Sequence, residues 1–175
     1  MTDSSHSAPA PDPHGANTAQ VRPATPADAA TIIRLVLALA EFERLPPPDE
    51  AARARLLADA FGPRPRFEIF LATVQGQVAG YAFIFETYST FLARPTLYLE
   101  DLFVLPEFRA QRVGYALFRY CVQEAVRRGC GRMDWAVLDW NQHAIAFYER
   151  LGAHHLADWQ LYRLDQADLQ QLLNP

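Results

Sequence analysis

The chain has 175 residues, of which 50% are hydrophobic and 21% charged; this length and composition suit one domain with a sizeable core. The net charge is −4, and all 16 basic residues are Arg, with no Lys. No basic cluster is dense enough for a nucleic-acid footprint, and without Lys there is neither Schiff-base chemistry nor a Walker-type phosphate loop.

Residues 1–20 are small, polar and Pro-containing, a composition that cannot offset its own ordering entropy and predicts a disordered tail. The folded domain is expected over 21–175. A short strand ends near Arg22-Pro23, and Thr25 is placed to cap a helix opening at Pro26. Ile32, Leu35, Val36 and Leu39 repeat at helical spacing until Pro46-Pro47-Pro48. A second helix is predicted from Asp49 to Ala60, stopped by Gly62-Pro63. The period then changes to that of strands, at Phe67–Val74 and Val78–Phe85, joined by a turn at Gln75-Gly76-Gln77 as a hairpin. A third strand spans Leu97–Val104. A long helix follows from Gln111 to Arg128, with Val113, Ala116, Leu117, Tyr120 and Cys121 on one face. Met133–Leu138 reads as a strand, Asn141 as the cap of a short helix, Trp159–Leu164 as a last strand and Asp165 as the cap of a final helix. The order predicts an α/β fold: a mixed, mostly antiparallel sheet flanked by helices on both faces.

Cys121 and Cys130 form neither a disulfide framework nor a zinc site, and His143, His154 and His155 lack the partners of a metal site. No metal is expected. A reduced, cytoplasmic setting is, since no apolar run approaches the roughly 20 residues of a membrane span and the start has no secretory pattern.

Three places hold candidate chemistry. In Val104–Ala116 a strand passes through a loop bearing Arg109 and Arg112 into a helix, whose first N–H groups suit an anion such as phosphate. Gly114 there permits close backbone approach. Glu100-Asp101 sits in an otherwise apolar strand, and the two carboxylates serve one cleft only if a bulge re-aims one of them. A desolvated carboxylate of this kind suits a general base. Tyr148 shares a helix face with Ala144, Ile145 and Leu151, and an ordinary phenol pKa of about 10 suits protonation of a departing thiolate.

Arg109-x-x-Arg112-x-Gly114 after a strand and Pro106 resembles motif A of the GNAT N-acetyltransferases. Arg22-Pro23-Ala24-Thr25, Phe61-Gly62, Tyr98-Leu99-Glu100-Asp101 and Phe147–Ala153 resemble that superfamily's diamine (spermidine/spermine) branch. Tyr88-Ser89-Thr90 and Ala136–Gln142 are closer to its thialysine acetyltransferase members. The resemblance covers about residues 20–164. It implies the GNAT acyl-CoA N-acyltransferase fold, a homodimer, and transfer of an acetyl group from acetyl-CoA to a primary amine of a small molecule in a ternary complex. In this carry-over Leu102, Phe103 and Val104 hold the pantetheine and acetyl group, beside a slot where the sheet splays open. Arg109, Ala110, Gln111, Arg112, Val113, Gly114 and Tyr115 cradle the pyrophosphate, and Asn141 and Ala144 line the cofactor. Tyr148 is the general acid and Glu100 the general base. Phe42, Glu43, Ser89, Asp101 and Trp159 face the amine, and Ser89, in place of the acid of polyamine-specific members, favours a shorter or zwitterionic acceptor. Ala110 and Arg112 stand where the family often carries glycine; Arg is unfavourable there if the site needs positive φ, and a negative φ would remove the conflict. A non-catalytic CoA-binding module and a protein N-acetyltransferase are the competing readings.

Overall fold

A computed structural model describes residues 19–174; the expected tail up to residue 18, with His6 and His14, lies outside the described residues. These fall into two compact units, one up to Ala136 and one from Val137 onward.

The first unit contains β1 (Gln20–Pro23), α1 (Ala29–Glu43), α2 (Glu50–Phe61), β2 (Glu68–Val74), β3 (Gln77–Ser89), β4 (Arg94–Val104), α3 (Val113–Arg127) and β5 (Arg132–Asp134). Its sheet has the order β1-β2-β3-β4-β5. The first four strands are antiparallel, and β5 runs parallel to β4.

Local chemistry explains the starts and stops. Asp28 accepts hydrogen bonds from the Thr25 N–H at 2.8 Å, the Thr25 hydroxyl at 3.0 Å and both ends of the Arg22 guanidinium at 2.8 Å. This clasp draws Pro26–Asp28 into a 3₁₀ turn, so α1 begins at Ala29 rather than at Pro26. The Asp49 carboxylate caps α2 by accepting from the Ala52 N–H at 2.7 Å. The β2–β3 hairpin turns on Gln75 and Gly76, both at positive φ (50° and 78°), as a two-residue loop of the primed type requires.

Helices cover both faces of the sheet. Ile32 and Leu35 of α1 pack with Ile69, Leu71, Tyr81, Phe83 and Phe103 on one face. On the other face Gly114 of α3 lies against Val104 and Leu102, and the Tyr120 ring lies 4.7 Å from Phe70. The C-terminal end of α3 is tied to the sheet through Arg128, which bonds Glu68 of β2, Glu86 of β3 and Glu124 of α3 at 2.6–3.2 Å.

β3 and β4 run past their expected bounds, pairing with each other out to Ser89 and Arg94, and two other expected strands fall short. The predicted strand over Met133–Leu138 is only Arg132–Asp134, because β4 pairs with it at Thr96–Tyr98 alone and offers no partner beyond. In the second unit, α4 (Gln142–Arg150) and α5 (Gln166–Leu173) form as predicted, each with its expected cap. Trp159–Leu164 is not a strand. Trp159, Leu161 and Tyr162 are 77–84% exposed; a strand is completed by the backbone groups of a partner, which apolar side chains in a short segment do not supply.

The Arg128 cluster has a pH signature. Hydrogen bonding from Arg127 first, and from Arg128, outweighs burial and holds the Glu124 carboxyl at about 2, below its ordinary 4.5. A carboxyl lowered on folding stabilises the fold fully above its ordinary value, and that contribution is lost as pH falls toward the lowered one. Arg128→Met is expected to cost about 2 kcal/mol at pH 7, since it leaves three carboxylates together, two of them partly screened by water. The loss of stability between pH 4.5 and 2 should be shallower in the variant; urea titrations across this range read both effects.

Candidate active site

Strand β4 organises the first unit's site. Phe83 stands opposite Asp101 and Ile84 opposite Leu99, so Glu100 is an extra residue with no partner on β3. This is the bulge that the adjacent carboxylates require. Because of it Leu97, Leu99 and Leu102 share one face although their spacing is odd. Asp101 and Phe103 share the other, with Tyr81, Phe83 and α1. Glu100 is exposed and Asp101 half-buried.

Around Asp101 the structure gathers the C-terminal end of α1 and the centre of β3. The Tyr81 hydroxyl donates to Asp101 Oδ2 at 3.3 Å. The Phe42 ring lies 6.2 Å from Phe103, which lies 6.2 Å from Tyr81. Burial, and then the negative charges of Glu100 and Glu43, push the Asp101 carboxyl up to about 6, against the opposing hydrogen bond from Tyr81. Burial also raises the Glu43 carboxyl. A cluster of carboxylates and aromatic rings suits a cation.

Within the first unit no strand pairs with the other edge of β4 beyond Tyr98, where β5 leaves it. The Leu105 N–H donates to the Ala79 carbonyl at 2.9 Å. By the alternation of an antiparallel ladder Phe103 and Asp101 also turn their backbone groups to β3, and Leu102 and Val104 turn theirs to the open edge. The Val104 carbonyl accepts there from Arg109 Nε at 3.2 Å. Of the three residues expected to offer backbone bonds, Leu102 and Val104 have them to offer, and Phe103 has its own committed to the ladder.

The loop into α3 runs beside this edge. Ala110 and Arg112 both have φ of 61°, so the departure from glycine is a real backbone conflict, and the negative-φ alternative is not adopted. Left-handed Arg112 starts the helix without a side-chain cap. That leaves the first N–H groups of α3 turned outward with the positive end of the helix dipole, a donor set fit for a pyrophosphate. Gln111 donates to the Glu107 carbonyl at 3.0 Å, which braces the loop. The Arg112 guanidinium lies 5.3 Å from the Tyr115 ring. That of Arg109 lies over the Phe42 ring at 4.8 Å, toward the acidic pocket.

In the second unit Asn141 caps α4, its Oδ1 accepting from the Ala144 N–H at 3.2 Å. Tyr148 is half-buried one turn on, its ring 5.1 Å from Phe147. Trp159 is exposed. Ser89 is not brought to the Asp101 pocket within the first unit. It is buried at the far end of β3, accepting from the Leu92 N–H at 3.3 Å, and six residues of strand, about 20 Å, separate it from Phe83. Tyr81 was not singled out from the sequence; its signal is a phenol inside an apolar strand, which must find a partner when buried. Among the described residues no group of three or more His, Cys, Asp or Glu is placed to hold a metal ion, and no helix is long and apolar enough to cross a membrane.

Left-handed backbone costs a non-glycine residue about 1–2 kcal/mol. Arg112→Gly is therefore expected to keep or raise thermal stability by up to about 1 kcal/mol, after the extra entropy of unfolded glycine. Were φ negative at residue 112, the same change would destabilise, so a melting curve gives the sign.

Residues 34–153 match the Acetyltransferase (GNAT) family. The chain is 34% identical to the mouse thialysine N-epsilon-acetyltransferase over 164 residues, which cover 87% of this chain and 96% of that protein. It is 40% identical over 95 residues to an L-ornithine N5-acetyltransferase of Arabidopsis thaliana, 54% of this chain and 42% of that protein. Among solved structures, an integron cassette protein of V. cholerae aligns with a TM-score of 0.78 at 20% identity, covering 90% of this chain and 98% of its own. With a family match over more than half its length and the mouse relative matched nearly end to end, this chain belongs to the GNAT acetyltransferase family.

Proposed function

We propose that residues 21–175 are the catalytic domain of an N-acetyltransferase that moves the acetyl group of acetyl-CoA to a primary amine of a small molecule, a thialysine-like amino acid or a di- or polyamine. The observation that carries this reading is the open edge of β4, with an uncapped helix N-terminus on one side and the carboxylate-lined pocket of Asp101 and Glu43 on the other. The relatives named for thialysine and L-ornithine support an amino acid with a side-chain amine.

The residues present fit the cofactor. The N–H groups at the start of α3, with Arg109 and Arg112, would hold the pyrophosphate, and Asn141 and Ala144 would line the bound molecule. When bound, acetyl-CoA supplies the acetyl thioester. The backbone of Leu102 and Val104 would bind along it, and an N–H on that edge would polarise the carbonyl. Glu43 and Asp101 would hold the ammonium, with Phe42 as an aromatic wall. Glu100, exposed at the bulge, would take the ammonium proton through water, since most amines are protonated at neutral pH. Tyr148 would hold the proton given to the departing sulfur. A homodimer in the cytoplasm completes the reading.

The test is thiol release from acetyl-CoA against thialysine, lysine, ornithine, short diamines, spermidine and a peptide. Release with a small amine is expected, and loss of about 10²–10⁴ in kcat for Tyr148→Phe. Binding of acetyl-CoA without release to any acceptor would overturn the enzymatic reading.

A second comparison addresses the acceptor. The relatives named for thialysine and L-ornithine lead to the expectation that kcat/KM for thialysine exceeds that for spermidine; a strong spermidine preference would refute the amino-acid reading.

A further inference from the structure

We propose that Tyr81 is a positioning residue for the acceptor amine: by donating its hydroxyl to Asp101 Oδ2 it fixes the Asp101 carboxyl group and leaves Oδ1 to meet the substrate ammonium. This rests on the reading of the chain as an amine acetyltransferase and assigns a role to a residue deep in the core.

Tyr81 is 1% exposed, and its ring is fixed between Phe83 at 5.0 Å and Phe103 at 6.2 Å. A hydroxyl so buried must find an acceptor, and the one it reaches is Asp101 Oδ2 at 3.3 Å. Register makes the meeting possible. Tyr81 stands opposite Phe103, and Asp101 lies two residues earlier on the same face, put there by the bulge at Glu100. The ring could be satisfied by a phenylalanine, as its neighbours Phe83 and Phe103 are. The hydroxyl therefore has a use that packing does not supply.

That use follows from what surrounds Asp101. Glu100 on β4 and Glu43 on α1 both repel a negative charge there, and burial disfavours it further. The nearby cation, Arg109, is turned onto Phe42 and Phe103 and bonded to Val104. Tyr81 supplies the hydrogen bond that favours the ionised form. With it, the carboxyl titrates at about 6 and is charged at neutral pH. Without it the carboxyl would move upward into the working range, and a protonated Asp101 offers an ammonium no charge.

The experiment is Tyr81→Phe, which keeps the ring packing, compared with the wild type and Asp101→Asn. The acid limb of kcat/KM for thialysine should fall near 6 in the wild type and move up by about one pH unit in Tyr81→Phe. The change should sit in KM, with kcat on the alkaline plateau within about twofold of wild type. The share of the limb that belongs to Asp101 should be missing in Asp101→Asn, so that a further Tyr81→Phe change no longer moves the profile. A profile that superimposes on wild type, or an equal loss at every pH, overturns the proposal, since a purely structural defect would not follow a titration.

A second readout is independent of turnover: ¹³C resonances of carboxyl-labelled Asp, with Asp101 identified by its absence from Asp101→Asn. The Asp101 midpoint should rise in Tyr81→Phe, and thialysine should shift the wild-type signal. An unmoved midpoint, or a signal indifferent to thialysine and the other amines, also overturns it. If the wild type releases thiol with no amine, the acetyltransferase reading fails on that result, and the resonance alone decides whether Tyr81 and Asp101 form an amine-sensing pair.

Discussion

The site depends on one extra residue in one strand. β4 must pair with β3 along its length, release β5 after three residues, and present apolar side chains to helices on both faces. A regular strand keeps strict alternation and would carry the phase of Leu97 and Leu99 through to its end, sending Leu102 and Val104 toward α1 and Asp101 toward α3. Glu100 breaks the phase. Leu102 can then rest on α3, and Asp101 and Phe103 can join Tyr81 beneath α1. The same slip exposes the Glu100 carboxylate at the point where β5 has already turned away. One insertion thus sets the faces of the strand, the position of both acids and the start of the open edge.

The helices and the hairpin were legible in the sequence because their signals are local. Asp49 caps α2, Gln75-Gly76 turns the hairpin and Asn141 caps α4 through contacts within three residues. The bulge was legible as a condition: Glu100-Asp101 serve one cleft only if the register slips, and it does. Features that need a distant partner were less legible. The length of β5 depends on where β4 stops offering bonds, and a strand over Trp159–Leu164 depends on a partner that its own residues do not specify.

At the site, residue types showed which groups carry charge and register showed which of them meet. Asp101 and Glu43 come together with Phe42, and Ser89 does not, because it lies at the other end of β3. Tyr81 escaped notice because a tyrosine inside an apolar strand looks like core until its hydroxyl is followed to a carboxylate. The loop before α3 shows the reverse. The sequence marked Ala110 and Arg112 as departures from glycine, and only the backbone shows that the left-handed conformation is kept and that the residues bear its strain.

The Arg128 hub has a consequence for an enzyme of this chemistry. Acetyl thioesters react with unprotonated amines, so such an enzyme must take the proton from its acceptor. Each of the 16 side-chain cations of this chain is a guanidinium, which stays charged far above neutral pH and is a poor nucleophile. The clamp from α3 to Glu68, Glu86 and Glu124 is therefore built from a cation that neither alkali discharges nor the chain's own acetyl donor can neutralise. With no lysine in its sequence, the fold has no side-chain amine to lose to the reaction that it catalyses.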